Sequence, residues 1–127
     1  MGLAYTEIGD HNKALTYHER ALALRTEMGD KRGQANSFHN IGLAHYEMGN
    51  YESALDHYSK ALTFFENVGD PHHEALARRG RAFVFWKQGL HQKAIEDLQK
   101  SRDTRAQIGF TTDLDDRILQ EWRGSAS

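Results

Sequence analysis

Histidine is the residue type in this chain best suited to hold a metal ion, and the sequence contains eight of them. Paired ligands on one helix face commonly stand four residues apart, and no two of these histidines have that spacing. His72 and His73 are adjacent, so on a helix their side chains point about 100° apart. The spacing predicts no metal site and no cofactor, and it favours packed histidines instead.

The sequence motifs also argue against catalysis. The chain has no cysteine, no Gly-x-Ser-x-Gly segment and no glycine-rich loop that could hold a phosphate. Acidic pairs such as Asp115 and Asp116 fit the first turn of a helix, where the helix dipole favours negative charge. The sequence therefore predicts that the protein is not an enzyme.

Length and charge narrow the possible partners. The 127 residues suit one domain, and a net charge of -2 with a pI of about 6.4 predicts no nucleic-acid or membrane partner. No apolar run approaches the roughly 18 residues that a membrane span needs, and no signal peptide is present. Together with the lack of cysteine, these features favour a cytoplasmic location. The mean hydropathy of -0.75 is typical of a thin helical array.

An internal repeat determines which elements carry these side chains. Residues 2–41 and 42–81 align without a gap at a shift of 40, and a third, more divergent copy follows from Ala82. Identical pairs include Gly2/Gly42, Leu3/Leu43, Ala4/Ala44, Glu7/Glu47, Gly9/Gly49, Ala14/Ala54, Leu15/Leu55, Ala21/Ala61, Leu22/Leu62, Gly29/Gly69 and Asp30/Asp70.

Glycines divide each copy into two segments with the apolar periodicity of a helix. At Gly49-Asn50 and Gly69-Asp70, the glycine suits a helix end and the Asn or Asp can cap the next helix. Thr112 and Asp115 resemble a capping box before a last helix whose apolar face holds Leu114, Ile118, Leu119 and Trp122. The predicted helices cover 1–8, 11–28, 31–48, 51–68, 71–88, 91–108 and 113–123.

The second repeat carries a set of spaced residues that identifies a family: Phe38, Ile41-Gly42, His45, Gly49, Tyr51, Ala54, Tyr58 and Ala61-Leu62. This pattern resembles the tetratricopeptide repeat (TPR) signature. The 40-residue period is similar to that of G-protein-signalling modulators, kinesin light chains and bacterial signalling ATPases and regulators. The resemblance implies an all-α fold, an α-solenoid of antiparallel helix pairs forming a right-handed superhelix with a C-terminal capping helix.

The register of the repeats predicts the organisation of the chain. We expect a truncated repeat 1 at 1–30, repeat 2 at 31–70, repeat 3 at 71–110 and the capping helix at 111–124. Since the first helix of repeat 1 lacks its N-terminal half, we expect a fragment of a longer array. The uncovered end, with Leu3, Tyr5 and Ile8, predicts self-association into a homo-oligomer.

The resemblance also implies a concave groove, lined by the first helix of each repeat, that binds a partner peptide or helix. By register, the residues on this face are Asn36, His39, Asn40, Leu43, Tyr46, Glu47, Leu76, Arg79, Phe83, Trp86 and Lys87, with Leu3, Thr6 and Glu7 from repeat 1. This mixture of rings, amides and charges suits a peptide. The implied function is a protein-interaction scaffold; an alternative is an effector- or peptide-sensing array of a larger signalling or transcription-regulating protein.

Repeat 3 departs from the pattern in charge and in apolar phase. Arg78 and Arg81 replace Phe38 and Ile41, and the apolar series Leu76, Gly80, Phe83, Val84 predicts a rotated helix. Residues 71–110 carry a net charge of +4, and residues 111–127 carry -2. Either the last helix pairs with repeat 3, or the basic segment meets an acidic partner.

Overall fold

The computed structural model describes the backbone of residues 2–126 and the side chains of residues 10–125. Within the described chain there are six helices and no strand. The helices are α1 Gly2–Met28, α2 Lys31–Glu47, α3 Tyr51–Val68, α4 Pro71–Lys87, α5 His91–Gln107 and α6 Asp113–Ala126. Each helix packs against the next along the chain, which makes the molecule an α-solenoid of consecutive helix pairs.

The helix ends lie within a residue of the predicted positions, except that α6 ends three residues later than predicted and that the predicted break at Gly9-Asp10 is absent. The structure has one continuous helix there, α1, so the predicted helices 1–8 and 11–28 are not separate. A glycine inside a helix costs only about 1 kcal/mol relative to alanine, so a glycine by itself does not end a helix. A turn at the glycine is stable where the helices before and after it pack against each other. The turns at Gly49 and Gly89 have such packing, because α2 lies on α3 and α4 lies on α5.

Side-chain caps form at some of the predicted sites and not at others. Asp30 and Asp70 accept hydrogen bonds from the backbone N–H groups of Gly33 and His73, at 2.9 and 3.1 Å. Asn50 makes no side-chain cap. The capping box at Thr112 is wrong in detail, because its hydroxyl bonds the Asp116 carboxylate at 3.0 Å.

The core consists of alanines and a few large side chains between neighbouring helices. Ala35, Ala54, Ala61, Ala77 and Ala94 are fully buried, which lets the helix backbones approach closely. Larger groups fill the remaining space: Phe65 and Leu62 between α2, α3 and α4, and Leu98, Leu119 and Trp122 between α4, α5 and α6.

The expectation that α4 is rotated is wrong. Its buried residues Ala75, Ala77, Ala82 and Val84 stand at the same repeat positions as Ala35, Ser37, Gly42 and Ala44, which are buried in α2. The phase is preserved because alanines and a valine supply an apolar stripe at the original positions. Leu76 and Phe83 therefore lie beside the core and are only partly buried.

Arg81 can occupy the repeat position of the buried Ile41 because an acidic residue, Asp97, forms an ion pair with it there. Its Nε and a terminal nitrogen donate to the two carboxylate oxygens of Asp97 at 2.7 and 2.9 Å. Hydrogen bonding to Asp97 raises the pKa of the Arg81 guanidinium above its usual value. Arg78 is also largely buried and lies 3.2 Å from Glu74 on its own helix. An ion pair between α4 and α5 thus replaces an apolar contact.

The last helix pairs internally with repeat 3, as the first of the two charge interpretations predicts. Asp115 is fully buried and accepts hydrogen bonds from Arg79 and Arg105 at 2.9 and 2.8 Å. On the outside, Arg102 donates to Asp116 at 2.7 Å. Of the predicted apolar face of α6, Leu119 and Trp122 are buried and Leu114 is 56% exposed.

We predict that Asp97→Ala lowers the free energy of unfolding by about 3 kcal/mol, because it leaves the charge of Arg81 without its partner. The value is at the lower end for a buried pair, since 21% of the Arg81 side chain remains exposed. Urea denaturation followed by circular dichroism measures the change.

The matched control is Lys60→Ala, which removes an exposed pair with Asp56 and should have little effect. The double variant Asp97→Ala, Arg81→Ala should lose less than the sum of the two single variants. Strict additivity would show that the two residues do not act as a pair.

Candidate functional site

The side of the solenoid formed by α2 and α4 contains a cavity of about 220 Å³. Six of the residues predicted for the concave face line it, three from each helix. The full lining is His39, Leu43 and Tyr46 from α2, Tyr58 from α3, and Leu76, Arg79, Gly80 and Phe83 from α4. We call this surface the α2/α4 groove.

Tyr58 forms the floor of the groove and separates its two walls. The ring is only 2% exposed and lies between Gly42 of α2 and Gly80 of α4. A methyl group on Gly80 would come within 2.6 Å of the ring, and one on Gly42 within 3.1 Å. Gly80 therefore needs to be glycine so that α4 can close on the tyrosine, whereas a methyl group on Gly42 would require the ring to shift by a few tenths of an ångström.

The uncharged polar side chains of the groove, on α2 and α3, are held in their neutral forms. Burial, with a smaller effect from His73, lowers the pKa of His39, whose ring also packs edge-on against Tyr58 at 5.3 Å. Burial likewise raises the pKa of Tyr58 and of Tyr46. At neutral pH these three side chains add hydrogen-bonding capacity to the groove and no charge.

Apolar side chains dominate the open part of the groove. Leu43 is 41% exposed at the mouth of the cavity. Leu76 and Phe83 face it from α4 and are partly buried. Facing leucine and aromatic side chains form a surface that gains free energy when a partner covers it.

Arg79 is the charged member of the lining. Its Nε donates to Asp115 of α6, and its guanidinium carbon lies 5.3 Å from the centre of the Phe83 ring. These two contacts hold the guanidinium at the edge of the cavity. The geometry therefore gives the groove one oriented cation beside an aromatic ring.

Trp86 has a different place from the one that its register predicts. Its ring stacks on Trp122 of α6 at 4.6 Å and on His91 at 4.0 Å, so the capping helix covers it outside the cavity. Phe83 also meets Trp122, edge to face at 5.4 Å. The C-terminal helix thus supports the α4 wall of the groove from behind.

The tetratricopeptide repeat family matches the chain over residues 1–67 and 33–107. The chain is a member of the tetratricopeptide repeat family. A similar solved structure is that of BtubC (BKLC) from P. vanneervenii, with a TM-score of 0.77 and 17% sequence identity. The match covers 91% of this chain and 51% of BtubC, so the chain spans about half the length of that protein. No curated protein matches the chain.

The remaining predicted residues of this TPR chain lie around the cavity rather than in its lining. Asn36 and Asn40 are half-buried on α2, and Lys87 is exposed at the end of α4. Glu47 is exposed, and its carboxylate lies 2.6 Å from His11 Nε2. The side chains of Leu3, Thr6 and Glu7 lie outside the described ones.

Sequence reasoning missed the part that Tyr58 and Gly80 play in this TPR groove. In the sequence, Tyr58 stands only as a member of the TPR signature on the second helix of its repeat, and Gly80 only in the apolar series of a predicted rotated helix. A glycine in the middle of a helix, where it is unfavourable, is a signal that could have pointed to a close approach.

Two observations concern other classes of site. Among the described residues, no three His, Asp or Glu side chains come together in a way that could hold a metal ion. None of the described helices is long and apolar enough to cross a membrane.

We predict that His39 titrates below the usual histidine value of about 6.5, because its protonated form is buried in the groove floor. The folded state then binds fewer protons at this site than the unfolded state. Above about pH 6.5 His39 is neutral in both states and does not lower the free energy of unfolding. As the pH falls below that value, the unfolded state takes up the proton more readily, so the free energy of unfolding decreases. Histidine ring NMR signals measure the midpoint, and a His39 midpoint at or above the usual value would contradict the prediction.

Proposed function

We propose that this chain is a protein-interaction module that binds a partner peptide or helix in the α2/α4 groove. TPR repeats generally act as non-catalytic scaffolds for protein interactions. The observation that carries the more specific proposal is the open apolar wall: Leu43, exposed by 41%, faces Leu76 and Phe83 across a cavity. TPR proteins are commonly cytoplasmic, and we propose the same compartment here.

The size of the cavity supports a peptide over a small metabolite or cofactor. Pockets for drug-sized ligands are typically about 300–1,000 Å³ and enclose most of the ligand. The α2/α4 groove has about 220 Å³, which suits one large side chain of a partner. A protein segment that places one such side chain here would continue along the neighbouring surface.

The amides beside the cavity support the binding of a peptide backbone. Asn40 lies one helical turn after Asn36 on α2, next to Leu43. Neither side chain has a hydrogen-bond partner among the described residues. Each amide can therefore donate to and accept from the backbone of a bound segment.

Leu43→Ala should weaken the binding of selected peptides about tenfold, because a contact in an interface centre contributes on the order of 1–2 kcal/mol. The ligands are peptides enriched on the wild-type chain from a displayed random library, and fluorescence anisotropy gives their affinities. Phe83→Ala should have a similar effect.

Leu90→Ala is the matched control, since Leu90 is a leucine with 42% exposure at the start of α5, away from the groove. If Leu43→Ala keeps its helicity and binds the peptides as tightly as the wild type, the α2/α4 groove is not the binding site.

A second association surface lies at the N-terminal end. Tyr17, Leu24 and Met28 on α1 are 70%, 57% and 71% exposed, and α1 packs against α2 alone among the described helices. The same repeat positions in α3 hold His57, Phe64 and Val68, and the latter two pack against the buried cluster formed by α2, α3 and α4. We propose that a second copy of the chain covers this face of α1; the side chains of Leu3, Tyr5 and Ile8 lie outside the described ones.

Sedimentation equilibrium should show an average mass that rises above the monomer's 14.5 kDa as the concentration increases. Leu24→Glu should restore the monomer, because it places a charge in the apolar contact. Leu114→Glu is the control, because Leu114 is equally exposed, at 56%, but lies on α6. A strict monomer at high concentration would contradict the proposal.

A further inference from the structure

The charged groups at the edge of the α2/α4 groove carry an excess of positive charge on the side of α4. Arg79 and Arg105 share one carboxylate, that of the fully buried Asp115. Two guanidinium groups and one carboxylate leave a net charge of +1 in this cluster. The Nε of Arg105 is buried without a partner, so the single carboxylate does not satisfy the donors around it.

Arg79 brings that excess charge to the groove. Only its Nε is bound, to Asp115 at 2.9 Å, and its terminal nitrogens have no hydrogen-bond partner among the described residues. The side chain lines the cavity, whereas that of Arg105 does not. A guanidinium that is oriented by one carboxylate and retains free N–H groups is prepared to bind a second.

A second cation extends the same pattern along α4. Arg79, Phe83 and Lys87 are spaced four residues apart, so they follow one another on one side of the helix. Lys87 is exposed and has no ion-pair partner among the described residues. The aromatic ring that lines the cavity is therefore flanked by a cation on each side.

The opposite wall offers no comparable attraction for a basic partner. His39 and Tyr46, which line it, are neutral at neutral pH. The nearest acidic group on α2 is Glu47, which is outside the cavity lining and already meets His11. Electrostatic complementarity thus favours an acidic ligand.

We infer that the partner segment presents an Asp or Glu side chain next to the bulky apolar residue that enters the cavity. The apolar side chain contacts Leu43, Leu76 and Phe83, and the carboxylate accepts hydrogen bonds from the terminal nitrogens of Arg79. A second acidic residue on the other side of the apolar one meets Lys87. This inference rests on the proposed function and adds the chemical character of the partner.

The test uses short peptides, acetylated and amidated at their ends, with a central Leu or Phe flanked on both sides by Glu, Gln or Lys. We expect the Glu peptides to bind the wild-type chain about tenfold more tightly than the Gln peptides, with the Lys peptides weakest. The preference should shrink as salt is added. Fluorescence anisotropy gives the affinities.

Arg79→Gln and Arg105→Gln form a matched pair, because both remove a donor to Asp115 but only Arg79 lines the cavity. Arg79→Gln should abolish the preference for Glu over Gln, and Arg105→Gln should retain it. Lys87→Gln changes an exposed side chain that α6 does not need, and it should reduce the preference while helicity and tryptophan fluorescence stay unchanged.

The outcomes separate this inference from the proposed function. Equal affinity for the Glu and Gln peptides, with both lost in Leu43→Ala, would overturn the acidic partner and leave the groove in place. The same holds if the capped peptides do not bind and only library-selected peptides with a free C-terminal carboxylate do. If no peptide of the panel binds, and library-selected peptides bind Leu43→Ala as tightly as the wild type, the proposed function itself is contradicted.

Discussion

The ring of Tyr58 sets the distance between α2 and α4, and the groove depends on that distance. The ring fills the space above two glycines, one on each neighbouring helix, so neither helix can move closer. Because the phenol is almost fully buried, its apolar contacts stabilise the repeat as well as separating the walls. The same residue therefore joins the three helices and leaves the opening between them.

The third repeat keeps this architecture with different chemistry. Where repeat 2 has Ile41, repeat 3 has Arg81 bound to the buried Asp97, and the helix stays in phase because alanines and a valine occupy its buried positions. An ion pair of this kind is not a stronger contact than an apolar one, since desolvation offsets much of its attraction. Its effect is directional, because two parallel hydrogen bonds define how α4 and α5 meet.

The capping helix and the groove are mechanically connected through two side chains. Asp115 holds Arg79 from behind, and Trp122 supports Phe83, so the α4 wall depends on α6 for the orientation of its cation and its ring. In this structure α6 orders the α4/α5 pair with a buried carboxylate and an indole.

The amino-acid sequence alone determined the repeat period, the helix ends at Gly29, Gly49, Gly69, Gly89 and Gly109, and the family. These features are readable in short stretches of sequence: glycine adopts the positive φ of these helix ends more easily than other residues, and a 40-residue shift needs no structure to be seen. The sequence also suggested that the charges of the last helix pair with those of repeat 3, since opposite charges on neighbouring segments tend to meet.

Only the tertiary structure decided which side chains share a surface. Trp86 left the predicted groove because Trp122 covers it, and Arg79 stayed there with one side held by Asp115. Gly9 did not end a helix because, unlike Gly49, it has no packed helix pair on its two sides. Burial and the choice of partner depend on contacts between residues far apart in the chain, and local periodicity does not encode them.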